Sequence, residues 1–146
     1  MKKILILLIL FMVFISACSP KNFELEKNQS KWQAADISHY RFSLMVGCFC
    51  AFSDKMPLSI EVKDGKIISM FYNDGTVISD SDRMNFSQYA TIPTLFSFTK
   101  DVLKKADEVN IQYNEKYGFP SSVQVDYIKN AADDELSLTV MNFQPQ

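Results

Sequence analysis

Residues 40–50 read Tyr-Arg-Phe-Ser-Leu-Met-Val-Gly-Cys-Phe-Cys, and every second side chain in this stretch is apolar or a thiol. Such an alternation is typical of a β-strand that buries one face and exposes the other. The side chains predicted to point into the core are Tyr40, Phe42, Leu44, Val46, Cys48 and Cys50. Because the two cysteines continue the apolar face, this strand is expected to carry both part of the core and any thiol chemistry.

Turn signals divide the residues after this strand into further short strands. Residues 58–63 alternate between apolar and polar side chains, and Asp64-Gly65 then favours a hairpin, because a type I′ turn requires positive φ at both central residues. Residues 66–72 return as the next strand, and a second turn precedes a short strand at residues 76–78. Together with the first strand, these residues are predicted to form an antiparallel meander.

The clearest helical pattern lies at residues 92–107. Thr91 is a suitable N-cap for this helix, and Pro93 is tolerated in its first turn. One apolar stripe with helical spacing is formed by Leu95, Phe96, Thr99, Val102, Leu103 and Ala106. The helix is predicted to cover one face of the sheet, whereas residues 79–90 before it are predicted to be a polar loop.

The remaining patterns complete a single domain. Residues Phe23 to Ala35 are predicted to be a helix with Asn22 as its N-cap. Further strands are predicted from the alternation at residues 109–113, 123–127 and 136–140. We therefore expect one α+β domain over residues 23–146, with an antiparallel β-meander of about six strands, one covering amphipathic helix and an N-terminal helix.

The first residues have the anatomy of a bacterial lipoprotein signal. Met1-Lys2-Lys3 is a basic start, and residues 4–15 form an unbroken apolar run. The end of this run, Ile15-Ser16-Ala17-Cys18, resembles the bacterial lipobox. That resemblance implies a signal peptide at residues 1–17 that is removed, and lipid attachment to Cys18, with residues 18–22 as a short tether.

The lipobox resemblance also implies a location. Lipobox proteins are exported, and their acyl chains hold them stably on one leaflet, because each buried CH₂ group contributes about 0.8 kcal/mol. Ser19 stands where an aspartate would favour retention in the inner membrane of many Gram-negative bacteria. We therefore expect an exported protein that is lipid-anchored to the cell membrane and, in a Gram-negative host, to the outer membrane facing the periplasm.

The charge of the chain argues against nucleic acid as a partner. The sequence contains 15 Lys and Arg residues and 17 Asp and Glu residues, without a basic cluster. Removal of residues 1–17 takes away Lys2 and Lys3 and no acidic residue, so the remaining chain is more acidic. An acidic domain of this kind is poorly suited to bind nucleic acid or anionic lipid.

Cys48 and Cys50 are the only candidates for chemistry. As alternate residues of a strand, their Cα atoms would be about 6.6 Å apart, near the upper limit for a disulfide, so a bridge needs a bend that Gly47 could supply. Three interpretations remain open: a structural disulfide, a redox-active or metal-binding pair, and two buried free thiols. Structural zinc needs four ligands, and only His39 could join the cysteines without carboxylates, so no metal or cofactor is assigned.

The other candidate residues have simpler explanations. His39 begins a strand near a turn without a nucleophile motif, so it is predicted to be a solvated or capping residue rather than a catalytic one. The acidic stretches 80–82 and 133–135 lack the ligand spacing and glycine of an EF-hand loop, and they are predicted to be solubilising turns. Four aromatic residues do not fit the main apolar faces and are predicted to close the edges of the core, with an exposed patch for a partner as the alternative. They are Phe49, Phe52, Phe98 and Phe119.

Several short motifs, taken in order, resemble a family of small bacterial lipoproteins that is known only as a domain of unknown function. The motifs are Tyr40-x-Phe42-x-Leu44, Cys48-Phe49-Cys50, Asp64-Gly65, Thr91-Ile92-x-x-Leu95-Phe96, Tyr113-Asn114, Gly118-x-Pro120-x-x-Val123-x-Val125-Asp126 and Asp133-Asp134-Glu135. The similarity extends over residues 32–143. It implies export and an α+β fold, and it implies nothing about chemistry.

Two functions are expected from these observations. The first is a lipid-anchored, non-enzymatic envelope module that binds a protein partner or supports an assembly, because the sequence offers an anchor and no catalytic set. The alternative is a thiol-based protein that uses Cys48 and Cys50 for redox chemistry or metal handling. Neither expectation includes a known small-molecule ligand.

Overall fold

The computed structural model describes residues 20–146 and contains one antiparallel sheet of six strands and three α-helices. The helices are α1 (Pro20–Ala34), α2 (Asp80–Phe86) and α3 (Ile92–Lys105). The strands are β1 (His39–Gly47), β2 (Leu58–Lys63), β3 (Lys66–Phe71), β4 (Glu108–Tyr113), β5 (Pro120–Asp126) and β6 (Glu135–Pro145). The predicted α+β fold class is confirmed, while the predicted signal peptide and lipid attachment at Cys18 lie outside the described residues.

The strand order β3-β2-β1-β6-β5-β4 places β1 at the centre of the sheet. Each half of the chain forms a three-stranded antiparallel unit, and the pairing of β1 with β6 joins the two units. Leu44, for example, lies between Leu58 of β2 and Val140 of β6. The alternation in residues 40–46 therefore belongs to a strand that is paired on both edges and buried on one face.

The buried face of β1 contains Tyr40, Phe42, Leu44 and Val46, each of which is almost fully shielded from solvent. Helices α1 and α3 pack against the sheet on this side, and the core extends through their inward-facing side chains. The opposite face of the sheet carries mostly polar side chains, and we call it the helix-free face. On β1 it presents Arg41, Ser43 and Met45.

Helix α3 is fixed at its start by a capping box and by a bond to β1. The Thr91 side chain accepts a hydrogen bond from the backbone of Thr94, and the Thr94 side chain accepts one from the backbone of Thr91. The backbone N–H of Ile92 donates to the Tyr40 hydroxyl at 3.0 Å. Burial raises the pKa of Tyr40 to about 12, so this hydroxyl stays neutral at physiological pH. The predicted N-cap at Thr91 is therefore present, and the neighbouring residue Ile92 links the start of α3 to β1.

Helix α1 is attached to the domain by few buried side chains. Only Leu25 and Trp32 are buried along it. The Trp32 ring makes edge-to-face contacts with the rings of Tyr40, Phe119 and Phe143. Asn22 lies within this helix, so the prediction of Asn22 as its N-cap was wrong.

Three local predictions are corrected by the structure. Residues 79–90 are not a continuous loop, because Ser79 caps α2 and accepts a hydrogen bond from the backbone N–H of Asp82. Residues 76–78 make a single bridge between Phe71 and Val77 rather than a strand. Of the four phenylalanines predicted to close the core, Phe98 and Phe119 are buried and Phe52 is half-buried, but Phe49 is 87% exposed.

Candidate functional site

The first candidate site is the turn that follows β1, which we call the cysteine turn (residues 48–50). The sulfur atoms of Cys48 and Cys50 lie at bonding distance, and their Cα atoms are 5.2 Å apart. This separation is shorter than a regular strand allows, because β1 ends at Gly47 and the backbone N–H of Cys50 donates to the carbonyl of Cys48. The backbone bend that a disulfide between alternate residues needs is therefore present.

Ser53 and Gly47 hold the cysteine turn in place. The Ser53 hydroxyl lies within hydrogen-bonding distance of the carbonyl oxygens of Cys48 and Cys50, at 3.0 and 2.7 Å. On the other side, a Cβ atom at Gly47 would collide with the Ser137 hydroxyl of β6. A glycine at this position therefore lets the start of β6 approach the cysteine turn closely.

Phe49 projects from the cysteine turn into solvent. Its side chain is 87% exposed, whereas the two cysteines on either side are half-buried and Cys48 packs against the core. Asp133 and Glu135 line a shallow depression beside it. The turn thus presents one large aromatic side chain on a braced backbone, with carboxylates nearby.

The second candidate site lies at the opposite end of β1 and centres on Glu61 of β2. His39 Nε2 is 2.7 Å from one carboxylate oxygen of Glu61, and an Nη atom of Arg41 is 2.9 Å from the other. These hydrogen bonds, from His39 first and Arg41 second, hold the pKa of the Glu61 carboxyl below its usual value. His39, which is predicted to be a solvated or capping residue, is 30% exposed, and β1–β2 pairing places it beside the Glu61 carboxylate.

A groove on the helix-free face adjoins this group, and we call it the Arg41 groove. It is an open groove of about 400 Å³, and the residues that line it are Arg41, Phe42, Ser43, Ser59, Ile60, Glu61, Ser69, Phe71, Asn142 and Gln144. Two register shifts shape it, one between β1 and β6 and one between β2 and β3. At the first shift Asn142 adopts a φ of 53°, typical of a bulge residue.

The acidic stretches have structural roles. Residues 80–82 form the first turn of α2, where carboxylates suit the helix dipole. In the other stretch an Asp134 carboxylate oxygen accepts from the backbone N–H of Ile128 at 2.6 Å and so closes the β5–β6 connection. Burial, followed by the charge of Asp134, raises the pKa of Asp126.

Residues 20–146 contain neither a cluster of metal-ligand side chains nor a helix suited to span a membrane. No three side chains of the ligand types His, Cys, Asp and Glu are grouped there so that they could hold a metal ion. Over the same residues, no helix combines the length and the apolar character that crossing a membrane requires. The expectations about metals, cofactors and catalysis stay predictions.

The sequence singles out Cys48 and Cys50 of the first site, but of the second site it singles out only His39 and misses Arg41 and Glu61. Arg41 and Glu61 each stand at an exposed position of an alternating strand, which is the only local signal they carry. Their contact depends on the β1–β2 register, in which Arg41 lies directly opposite Glu61. A correct prediction of how β1 pairs with β2 would have placed Arg41 opposite Glu61.

Comparison with known proteins gives one assignment. No curated protein and no solved structure matches the chain. A sequence model for a family of unknown function, DUF6174, matches residues 24–145, which is nearly the whole described domain. The expected resemblance to a domain of unknown function is therefore confirmed, and the chain belongs to the DUF6174 family.

Proposed function

We propose that this protein is an exported bacterial envelope lipoprotein, anchored through Cys18, and that its domain is a non-enzymatic module that binds a partner protein through Phe49. The lipobox resemblance at residues 15–18 supports the anchor. The exposed Phe49 on the cysteine turn is the observation that supports binding.

An exposed aromatic side chain gains free energy when a partner protein buries it. A phenylalanine left in water forgoes roughly 1.5–3 kcal/mol that its burial would contribute. Aromatic anchors of this kind dominate many protein interfaces when they enter a pocket on the partner. The bonded sulfurs and the Ser53 hydrogen bonds restrain the backbone before binding, so less conformational entropy is lost on association.

The test is site-specific cross-linking in cells. The full chain, with a photoreactive benzoylphenylalanine at position 49, is expected to give a discrete heavier adduct in a bacterium that encodes this protein. Met84 on α2, which is 75% exposed, is the matched control position and should give none. Co-expressed wild-type chain should compete with the adduct, and the Phe49→Ala chain should not.

Two further results decide between binding and chance proximity. Cys48→Ser/Cys50→Ser is expected to reduce the adduct, because the free turn no longer presents the ring in one geometry. Cys18→Ser should release the protein from the membrane fraction. Equal adducts at positions 49 and 84, or competition by Phe49→Ala chain, would contradict the proposal.

The alternative function is a thiol-based protein that uses Cys48 and Cys50 for redox chemistry or metal handling. The observation that favours it is the placement of both cysteines, half-buried, in a surface turn rather than deep in the core. Short-loop disulfides at exposed positions tend to be the labile ones.

Alkylation followed by mass measurement distinguishes the two functions. If the turn is structural, the pair should be fully oxidised in cells and should resist mild glutathione, and the double serine variant should lower the free energy of unfolding. If the pair is functional, reduced and oxidised forms should coexist and the variant should unfold as the wild type does. Zinc retained by the reduced protein would favour metal handling.

A further inference from the structure

We propose that the Arg41 groove is a binding site for a saccharide that carries a carboxylate. The site lies at the start of β1, whereas Phe49 follows its end, so this inference stands independently of the proposed protein interface. It rests on a positioned cation, on the polar lining of the groove and on the charge of the surrounding face.

The positioned cation is Arg41. One Nη atom of its guanidinium is held by Glu61 at 2.9 Å, and Glu61 is itself only 14% exposed and also bonded to His39. The Arg41 side chain is 58% exposed, and within residues 20–146 its other N–H groups bond no further acceptor. A guanidinium fixed on one side and open on the other is suited to bind a carboxylate through two parallel hydrogen bonds.

The lining favours a polyhydroxylated ligand over a peptide. Ser59, Ser69 and Gln144 present hydroxyl and amide groups to the groove, and these side chains bond no other described residue. Phe71 adds an aromatic ring at the edge of this polar set, where the C–H face of a sugar ring could pack. A groove for an extended apolar peptide would instead need pockets for alternate apolar side chains.

The charge around the groove complements an anion. Lys63 lies opposite both His39 and Lys66 in the ladders, so the two lysines share the helix-free face with Arg41. Among the strand residues of this corner, these three cations stand with one acid, Glu61, although the whole chain has a net charge of −2. A cationic corner on an acidic protein attracts anionic ligands.

The far corner of the same face has the opposite charge. Glu108, Asp126 and Glu135 stand side by side across β4, β5 and β6. An acidic ligand is therefore repelled from that corner and directed to the Arg41 groove. The charges of the helix-free face therefore favour an anionic ligand over a cationic one at the Arg41 groove and disfavour the same ligand at the far corner.

Calorimetry with the full chain in detergent micelles tests the proposal. The probes are galacturonate, glucuronate, N-acetylmuramate and N-acetylneuraminate, each against its neutral counterpart. At least one acid is expected to bind saturably and at least tenfold more tightly than its counterpart, since a charge-assisted pair contributes about this factor. Arg41→Gln should remove that preference, and Arg41→Lys should remove most of it, because the planar fork is lost.

The controls separate this site from general charge effects. Lys104→Gln, at an exposed position in the last turn of α3, should leave binding unchanged, as should Phe49→Ala. The proposal is overturned if no acid binds better than its counterpart, or if Arg41→Gln leaves binding intact. If acetate competes with the acidic sugar equally well, the groove is a general anion site. If an acidic peptide competes equally well, the ligand is a protein. Either result overturns the proposal.

Discussion

Trp32→Ala is expected to lower the free energy of unfolding by about 3–5 kcal/mol, the range for removing a large buried aromatic side chain. The ring contacts Tyr40 of β1, Phe143 of β6 and Phe119, which directly precedes β5, so its loss opens a cavity between α1 and the sheet. Urea denaturation followed by circular dichroism measures the change. Fluorescence cannot serve, because Trp32 is the only tryptophan.

Phe23→Ala is the matched control for this prediction. Phe23 lies on the same helix, but its side chain is 65% exposed. Its removal should change the free energy of unfolding by less than about 0.5 kcal/mol. Similar losses for the two variants would show that α1 is not attached through Trp32.

Gly118→Ala should cost about 2–4 kcal/mol, an unusually large effect for the addition of one methyl group. Gly118 has a φ of 81°, where a side chain is strained, and a Cβ atom there would lie 2.5 Å from the carbonyl oxygen of Asn28 in α1. A backbone oxygen within a helix cannot rotate away, so α1 would have to shift. The same denaturation experiment measures the loss.

Substitutions at two other glycines separate the effect of backbone strain from the effect of the steric clash. Gly75 has a φ of 82° with nothing within 4 Å of an added Cβ, so Gly75→Ala reports the backbone strain alone, about 1–2 kcal/mol. At Gly47 the obstacle is the Ser137 hydroxyl, which can rotate, so Gly47→Ala should be tolerated better than Gly118→Ala. If Gly118→Ala costs no more than Gly75→Ala, the contact with α1 is looser than the structure indicates.

The sequence predicts well those features that depend on local periodicity. The alternation in residues 40–46 identifies the buried face of β1, and the apolar stripe beginning at Leu95 identifies α3. Both patterns persist over several residues, and burial on one side is their direct cause. The Asp64-Gly65 turn likewise lies between β2 and β3 as predicted, with positive φ at both residues.

Features that depend on distant pairing escaped prediction. The contact of His39 and Arg41 with Glu61 requires the register of β1 against β2, which is not determined by any short turn. Helix α2 has seven residues, too few for a helical period to stand out, and its main buried anchor is Phe86. For Phe49 the sequence favours the edge of the core over an exposed patch, because the alternating pattern does not reveal that the strand ends at Gly47.

The pairing of β1 with β6 has a consequence for how the chain acquires its structure. Leu44 must find Val140, about a hundred residues later in the chain, and contacts of such long sequence separation slow folding because a large loop must close first. Until β6 has been synthesised, the unit of β1, β2 and β3 carries an unpaired edge rich in apolar residues. Nascent chains halted before residue 135 should therefore be prone to aggregation, and folding should be completed only after synthesis has passed β6.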